Sequence, residues 1–277
     1  MKGLKGYFFL MLLIGTAVCA DAKILLPQIL SSNMVLQRDK PLNIWGFAAV
    51  AEVVTVSFAG QVKETVTDAN GKWSVVLSAL KTSAVPAKMT IKGSNTIVLD
   101  NILVGEVWLC SGQSNMEYAM RKLERVNKPL NEKLGYPVDE LKKANNPQIR
   151  IFLVNRKQLS KPDSLHKSWS IAQDSALKNF SAAGYFFAKE LQEKLNVPVG
   201  MISSAVSGSA IEPWIPRESL ETGYFSGQKV GNDPGKFYTP MIEPLTPFAL
   251  RGFLWYQGET NCFLKEKLRH SKQKPIT

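Results

Sequence analysis

The fold is decided by the stretch Gly105-Glu106-Val107-Trp108-Leu109-Cys110-Ser111-Gly112-Gln113-Ser114-Asn115-Met116. Residues 107–110 form a short apolar run typical of a buried strand, and residues 116–123 fit a helix. The junction between them projects the hydroxyl of Ser114 from the carboxyl end of the strand. Unpaired N–H groups at the start of a helix favour an oxyanion at the same point. The sequence therefore predicts Ser114 as a nucleophile, and the alternative is a serine that caps the helix.

Strands and helices alternate on both sides of this junction. Apolar runs at 148–154, 197–203 and 251–256 predict three further strands. Between the first two, residues 181–195 form an amphipathic helix that Ser181 can cap, with an apolar side made of Ala183, Phe187, Ala188, Leu191 and Leu195. This order predicts an α/β fold with a parallel sheet and helices on both faces. Ligands of such sheets bind at the carboxyl ends of the strands.

The residues before this region have a different pattern. Short stretches that suit strands occur at 54–58, 62–66, 73–77, 90–92 and 96–99, and turn-forming residues separate several of them. We found no carboxylate pair, histidine cluster or glycine-rich phosphate loop among them. The pattern predicts an antiparallel β-sandwich over residues 21–103 that acts as an accessory domain.

The first twenty residues predict export rather than a part of the fold. Lys2 and Lys5 precede an apolar run at 7–18, and Val18-Cys19-Ala20 supplies small residues before the expected cleavage after Ala20. The run is shorter than the about 20 residues that cross a bilayer, so no membrane span is expected. A lipoprotein anchored through Cys19 is the weaker alternative. The expected location is periplasmic or extracellular.

Charge and cysteine content narrow the class of protein further. The net charge is +11, but the basic residues are scattered or lie in the last few residues, without the basic stripe of a nucleic-acid binder. We therefore expect no nucleic-acid partner. Cys110 is predicted to be a small buried apolar residue, with a disulfide to Cys262 as the alternative. The sequence contains no cluster of metal ligands, so neither a metal nor an organic cofactor is expected.

The stretch at 105–116 closely resembles the sialate O-acetylesterase family of SGNH hydrolases. Three more blocks follow the family in the same order: Ser-Asn-Met-Val-Leu-Gln-Arg at 32–38, Ser-Ala-Ala-Gly-Tyr-Phe-Phe-Ala at 181–188 and Trp-Tyr-Gln-Gly-Glu-Thr-Asn at 255–261. The resemblance implies an SGNH-type parallel sheet flanked by helices over residues 104–264. Residues 265–277 read as a divergent basic tail.

The resemblance also assigns the candidate site. It implies that Ser114 attacks the ester and that the N–H of Gly208 and the side-chain amide of Gln257 help to hold the oxyanion. Glu259 would orient a base or contact substrate, with a surface carboxylate neutralised by Lys or Arg as the alternative. Trp214 would either pack in a loop or form the floor of a sugar site. Ser207 stands where relatives often have a second glycine.

The base that a serine nucleophile needs is not evident. The family carries an Asp-x-x-His pair after a further strand, and no Asp follows Asp233 here. The two histidines are His166, in a polar connection, and His270, in the basic tail. The expectation is a hydrolase domain that stops early, exposes a sheet edge and hydrolyses acetyl esters poorly when expressed alone.

The function expected from the sequence is removal of O-acetyl groups from sialic acid or a related sugar through an acyl-serine intermediate. An esterase acting on acetylxylan-type polysaccharide is the nearest alternative. A non-catalytic fragment with a carbohydrate-binding or structural role is the alternative from another class. The residues do not predict an oligomeric state.

Overall fold

The computed structural model describes residues 23–125, 139–154, 168–222 and 233–262. The strands are β1 (Val35–Gln37), β2 (Leu42–Phe47), β3 (Val53–Phe58), β4 (Gln61–Val66), β5 (Lys72–Leu77), β6 (Ser83–Lys92), β7 (Thr96–Gly112), β8 (Ile149–Leu153), β9 (Ser170–Ile171), β10 (Val199–Ala205) and β11 (Gly252–Tyr256). The helices are α1 (Ser114–Glu117), α2 (Glu140–Lys143), α3 (Asp174–Asn179), α4 (Ala182–Leu195), α5 (Arg217–Glu221) and α6 (Tyr238–Met241). Short 3-10 turns lie at Met120–Arg125, Glu212–Trp214 and Glu243–Leu245.

The 17-residue strand β7 connects the two regions that the sequence separates. Its first part pairs antiparallel with β6 and parallel with β1, and its last part pairs in parallel with β10 and β11. The predicted boundary between residues 103 and 104 therefore falls inside one continuous strand. Nine strands belong to the sheet that β7 organises.

The parallel part confirms the predicted α/β fold. Strands β11, β7, β10 and β8 lie side by side in parallel, and the two-residue β9 adds an antiparallel pairing to β8 that the sequence did not predict. All seven residues of β10 are buried, as expected for a strand covered on both faces. Helix α4 packs on one face, whereas α6 and the turn after it contribute to the apolar cluster on the other. Within the described residues no helix has the length and hydropathy needed to cross a membrane.

Strands β2 to β6 pair antiparallel, as predicted, whereas β1 pairs in parallel with β7. Strands β4, β3, β6 and β7 form one run of the large sheet, and β2 pairs with β5 in a separate two-stranded sheet. Alternate residues of β2 and β5 are buried. Their buried side chains join the same cluster as those of the larger sheet, which includes Leu42, Ile44, Val54, Val56, Trp73, Ile91 and Leu99. This shared core holds the N-terminal strands together.

Helix α4 begins where its capping residue predicts. The Ser181 hydroxyl accepts the N–H of Gly184 at 3.0 Å, which satisfies one of the free donors at the start of the helix. The buried face differs in part from the predicted one, because Ala183 and Leu195 are exposed. The residues that α4 buries are Ala182, Gly184, Tyr185, Ala188 and Gln192.

Helix α1 is shorter than the predicted helix at 116–123. It ends before Tyr118, whose backbone is extended, and a 3-10 turn starts at Met120. The cause is tertiary pairing, since Met120 N donates to Phe180 O and Ala182 N donates to Tyr118 O. These bonds pull the chain away from a helical path just after the candidate nucleophile.

A buried carboxylate ties the N-terminal strands to the parallel sheet. Glu106 lies in the middle of β7, is 3% exposed and receives the guanidinium of Arg38 at 2.6 Å. Arg251, just before β11, approaches its other oxygen at 3.7 Å. One anion on β7 thus contacts residues from both regions of the chain.

Candidate active site

Ser114 lies at the carboxyl end of β7 and is the first residue of α1. It is half-buried, and its hydroxyl makes no hydrogen bond within the ranges that the structure describes. The residue that precedes the helix as its cap is Gln113, so the alternative of a capping Ser114 is wrong. With only four residues, α1 has a small dipole, and an oxyanion here would depend mainly on individual N–H groups.

The turn into α1 depends on Gly112, whose φ is +141°. A Cβ at this position would overlap the carbonyl of Tyr256 on the adjacent strand, with the carbonyl carbon at 2.6 Å. The same carbonyl oxygen accepts the N–H of Gln113 at 2.9 Å. The close approach of β7 and β11 at this glycine fixes the direction in which the chain leaves for Ser114.

The loop after β10 brings Gly208 to the site. Val206 N donates to Gly112 O at 3.0 Å, and the N–H of Ser207 donates to the carboxylate of Glu117 in a short hydrogen bond. The N–H of Gly208 and the N–H of Ser114 donate to no group of the described residues. The resemblance assigns the N–H of Gly208 to the oxyanion together with Gln257, and the N–H of Ser114 lies at the start of the helix, where an oxyanion is favoured.

The loop after β11 is fastened to the nucleophile turn by two side chains. Asn115 Nδ2 donates to Glu259 Oε1 at 3.0 Å, and Gly258 N approaches Gln113 Oε1 at 3.4 Å. The loops that follow β7, β10 and β11 therefore meet at Ser114, as expected for the carboxyl edge of a parallel sheet.

The amide of Gln257 is already used within the protein. Its Nε2 donates to Ser209 O at 3.2 Å and to Asn261 Oδ1 at 2.7 Å, so an oxyanion would have to replace one of these acceptors. Asn261 also accepts the N–H of Ile211 at 3.0 Å. Gln257 and Asn261 thus hold the loop that carries Gly208, and the role of Gln257 as an oxyanion donor stays a prediction.

Glu259 is half-buried at the same edge, and the described residues offer it no Lys or Arg partner. One of its oxygens accepts the Asn115 amide, while Oε2 is enclosed without a hydrogen-bond partner in the described residues. Both readings of Glu259, a group that orients a base or contacts substrate and a surface carboxylate neutralised by Lys or Arg, stay predictions. A buried carboxylate oxygen with an open lone pair suits a group that receives a donor from a base or a substrate.

Sequence reasoning missed three residues that shape the site. Glu117 anchors the Gly208 loop, Asn115 holds Glu259, and Asn261 holds both Gln257 and the backbone at Ile211. Asn261 lies only four positions from Gln257, but the other three contacts span 50 to 144 positions of sequence, which local patterns do not reveal. The only signal was that Glu117, Asn115 and Asn261 lie within or next to the quoted blocks.

A cavity of about 260 Å³ opens beside the Gly208 loop, and Ser207, Gly208, Thr260 and Phe237 are among its lining residues. Trp214 is not in that lining. It is 6% exposed, packs against Phe237 and Trp255, and donates its indole N–H to Ser209 Oγ, so its role is packing.

The cysteines take no part in this chemistry. Cys110 is fully buried beneath α4, and burial raises the pKa of its thiol to about 12. Cys262 is exposed, and both thiols are free, so the alternative disulfide is wrong. In the described ranges, no three His, Cys, Asp or Glu residues are placed to hold a metal ion. His166 and His270 lie outside the described residues.

The fold and the site define a parallel α/β protein with a serine at the carboxyl end of a central strand, beside free backbone donors. The family model of carbohydrate esterases described as sialic acid-specific acetylesterase matches residues 104–275. The chain belongs to this family.

Individual relatives agree with the family. The chain is 30% identical to human sialate O-acetylesterase over 84% of its length and 48% of the human protein. It is 29% identical to the rat sialate O-acetylesterase over 84% of this chain and 51% of that one. A carbohydrate acetylesterase from Xanthomonas citri has a crystal structure that superposes with a TM-score of 0.71 at 33% identity, covering 86% of this chain and 52% of the other. The chain spans about half the length of the curated relatives it matches.

Proposed function

We propose that this chain carries the nucleophile of a serine esterase that removes O-acetyl groups from sialic acid or a related sugar. The observation that carries the proposal is the meeting of three loops at Ser114, where the N–H groups of Ser114 and Gly208 have no acceptor in the described part of the chain. Membership of the acetylesterase family and the likeness to a carbohydrate acetylesterase support it.

In the proposed reaction, Ser114 Oγ attacks the acetyl carbonyl, and its proton passes to a general base. The oxyanion that forms is stabilised by the two N–H groups, and each such donor typically contributes about 3 kcal/mol to the transition state. Collapse of this intermediate breaks the bond to the sugar oxygen, which takes the proton from the base and leaves as a hydroxyl, and the acetyl group stays on Ser114. Water then releases acetate through a second tetrahedral intermediate.

Two features of the rest of the chain belong to the same proposal. Residues 1–20 act as the export signal, which places the enzyme where extracellular glycans are accessible. The N-terminal antiparallel strands serve as an accessory β-sandwich. Esterase activity on acetylxylan-type polysaccharide is the second candidate. It is favoured by a second cavity of about 630 Å³, whose two charged lining residues, Asp68 and Lys72, have opposite charges and so suit an uncharged sugar.

The test measures acetate released from O-acetylated sialic acid and from acetylxylan, together with peptide mass spectrometry after incubation with p-nitrophenyl acetate. We expect slow turnover and an acetyl group on the peptide that contains Ser114. Both should disappear in Ser114→Ala and persist in Ser78→Ala, which removes an exposed hydroxyl elsewhere. Acetate release that Ser114→Ala leaves unchanged, or absence of both release and acetylation, would refute the proposal. Robust release that is lost in His270→Ala as well would make His270 the base.

A further inference from the structure

A second and larger cavity lies away from the loops around Ser114. Its volume is about 630 Å³, within the range of about 300–1,000 Å³ that small-molecule sites occupy. Strands β2 and β5, the end of β4 and residues 244–247 enclose it. None of its lining residues borders the small cavity beside Gly208.

Aromatic side chains form much of its wall. Trp45 and Phe47 occupy alternate positions of β2 and so project from the same face of the strand, opposite to the core residues Leu42 and Ile44. Phe47 is 37% exposed, and Trp45 is only partly buried. These two rings therefore offer apolar surface to a ligand on the face of β2 that points away from its core residues.

Polar groups stand directly across the strand pair from those rings. In the register of β2 with β5, Ser74 is opposite Trp45 and Lys72 is opposite Phe47. The hydroxyl groups of Ser74 and of Thr65 line the cavity, and neither is hydrogen-bonded within the described part of the chain. Aromatic faces beside free hydroxyl groups suit a ligand that has both C–H faces and hydroxyls, as a pyranose ring does.

The charges of the lining select among sugars. Asp68 and Lys72 are the only charged residues among the described residues that line the cavity, and their charges cancel. Asp68 is held ionised, because backbone N–H groups of Lys72 and Asn70 donate to it and lower the pKa of its carboxyl. The lining therefore has no net charge, although the chain as a whole carries +11. A neutral sugar matches this balance better than an anionic one.

We propose that this cavity binds a neutral pyranose residue of a glycan, with its ring against Trp45 and Phe47 and its hydroxyls on Ser74 and Thr65. The site goes beyond the proposed esterase function and does not depend on it. Phe237 borders the small cavity and Pro244 borders this one. They are seven positions apart in the chain, which limits the gap between the two linings there to about 25 Å. A glycan of a few residues therefore reaches from one to the other.

Calorimetric titration of the full chain tests the proposal, with xylohexaose, galactose and N-acetylneuraminic acid as the probes. We expect one of the two neutral sugars to bind and the anionic sugar to bind at least about tenfold more weakly. Phe47→Ala should weaken neutral-sugar binding about tenfold, because one stacking surface is lost. Val76→Ala is the matched control, since Val76 projects from the same face of β5 and does not line the cavity.

Two further variants address a folding failure of Phe47→Ala and the separation of this cavity from the esterase site. Ser74→Phe fills the cavity from an exposed position and should abolish binding if Phe47→Ala fails to fold. Ser114→Ala should bind the neutral sugar as the unmodified chain does, which separates this site from the esterase proposal. The proposal would be overturned if neither neutral sugar binds, or if N-acetylneuraminic acid binds more tightly than both. It would also be overturned if Phe47→Ala and Ser74→Phe both bind the neutral sugar as tightly as the unmodified chain does.

Discussion

The substitution Gly112→Ala tests whether the close approach of β7 and β11 positions the nucleophile. A methyl group at residue 112 would lie 2.6 Å from the Tyr256 carbonyl carbon, whereas ordinary contacts of a Cβ begin near 3.4 Å. The two strands would have to separate by about 1 Å. That movement acts on the Tyr256 carbonyl, which also accepts the N–H of Gln113.

The expected loss of stability follows from two terms. Holding alanine at a φ of +141° costs about 2 kcal/mol, and loss of the Gln113–Tyr256 hydrogen bond costs about 1 kcal/mol. We therefore expect Gly112→Ala to lower the free energy of unfolding by about 3 kcal/mol. For a chain of this size, that corresponds to a fall in Tm of about 6–12 °C.

Gly208→Ala is the matched control, because it makes the same chemical change in a neighbouring loop. Its φ is +71°, but no atom of the residues that the structure describes lies within 4 Å of the added methyl group. Only the backbone strain applies, so we expect a loss of about 1 kcal/mol and a fall in Tm of about 2–4 °C.

The assay is thermal unfolding followed by circular dichroism, with acetate release measured alongside. A displacement of Ser114 by about 1 Å should reduce the rate of ester hydrolysis by about a hundredfold in Gly112→Ala. Equal stability of Gly112→Ala and the unmodified chain, or an equal loss in Gly112→Ala and Gly208→Ala, would refute the assignment of the clash as the cause.

Three other contacts lead to predictions. Burial raises the pKa of the Cys110 thiol to about 12, so peptide mapping should find it unmodified by iodoacetamide until the protein unfolds. Burial acts to raise the pKa of Glu140, but hydrogen bonds from Lys189 and Tyr185, together with the charges of Lys189 and Lys143, outweigh it and hold that pKa below its usual range. Glu140 therefore stabilises the fold at neutral pH and loses this effect in acid, and urea titration should find Glu140→Gln about 1 kcal/mol less stable at pH 7, with the difference shrinking as the pH falls below about 4. Glu117→Ala should free the N–H of Ser207, which amide hydrogen exchange would report as faster exchange, and should cost about 2 kcal/mol of stability.

Local signals predicted the elements that local forces determine. The strand before Ser114, the three later parallel strands and the start of α4 at its Ser181 cap all follow from apolar runs and a capping residue. The antiparallel pairing of β2 to β6 followed from alternation and turns in the same way, whereas the parallel pairing of β1 with β7 was not predicted.

Long-range pairing determined what the sequence did not predict. Helix α1 stops early because residues 118–120 bond to residues 180–182, about sixty positions away. The buried face of α4 differs from the predicted face for a related reason. Gly184 has no side chain, so that side of the helix can approach Cys110 closely and face the sheet. The amide of Gln257 is occupied by Ser209 and Asn261, and no pattern in the sequence links those three residues. The sequence thus predicted which residues lie at the candidate site, but it did not predict which groups their side chains bond to.

Strand β7 runs across the domain boundary that the composition predicts. The composition changes near residue 103, yet β7 continues for nine residues beyond that point, and its early residues Leu99, Ile102 and Leu103 are fully packed against the N-terminal strands. The buried Glu106 needs Arg38 from the N-terminal region as its counter-ion, and a buried carboxylate without its partner costs several kcal/mol. A cut between 103 and 104 would therefore divide one strand, remove the partner of a buried charge and expose apolar surface on the half that carries Ser114. The geometry of the nucleophile turn depends on the N-terminal strands because the strand that ends in that turn is anchored among them.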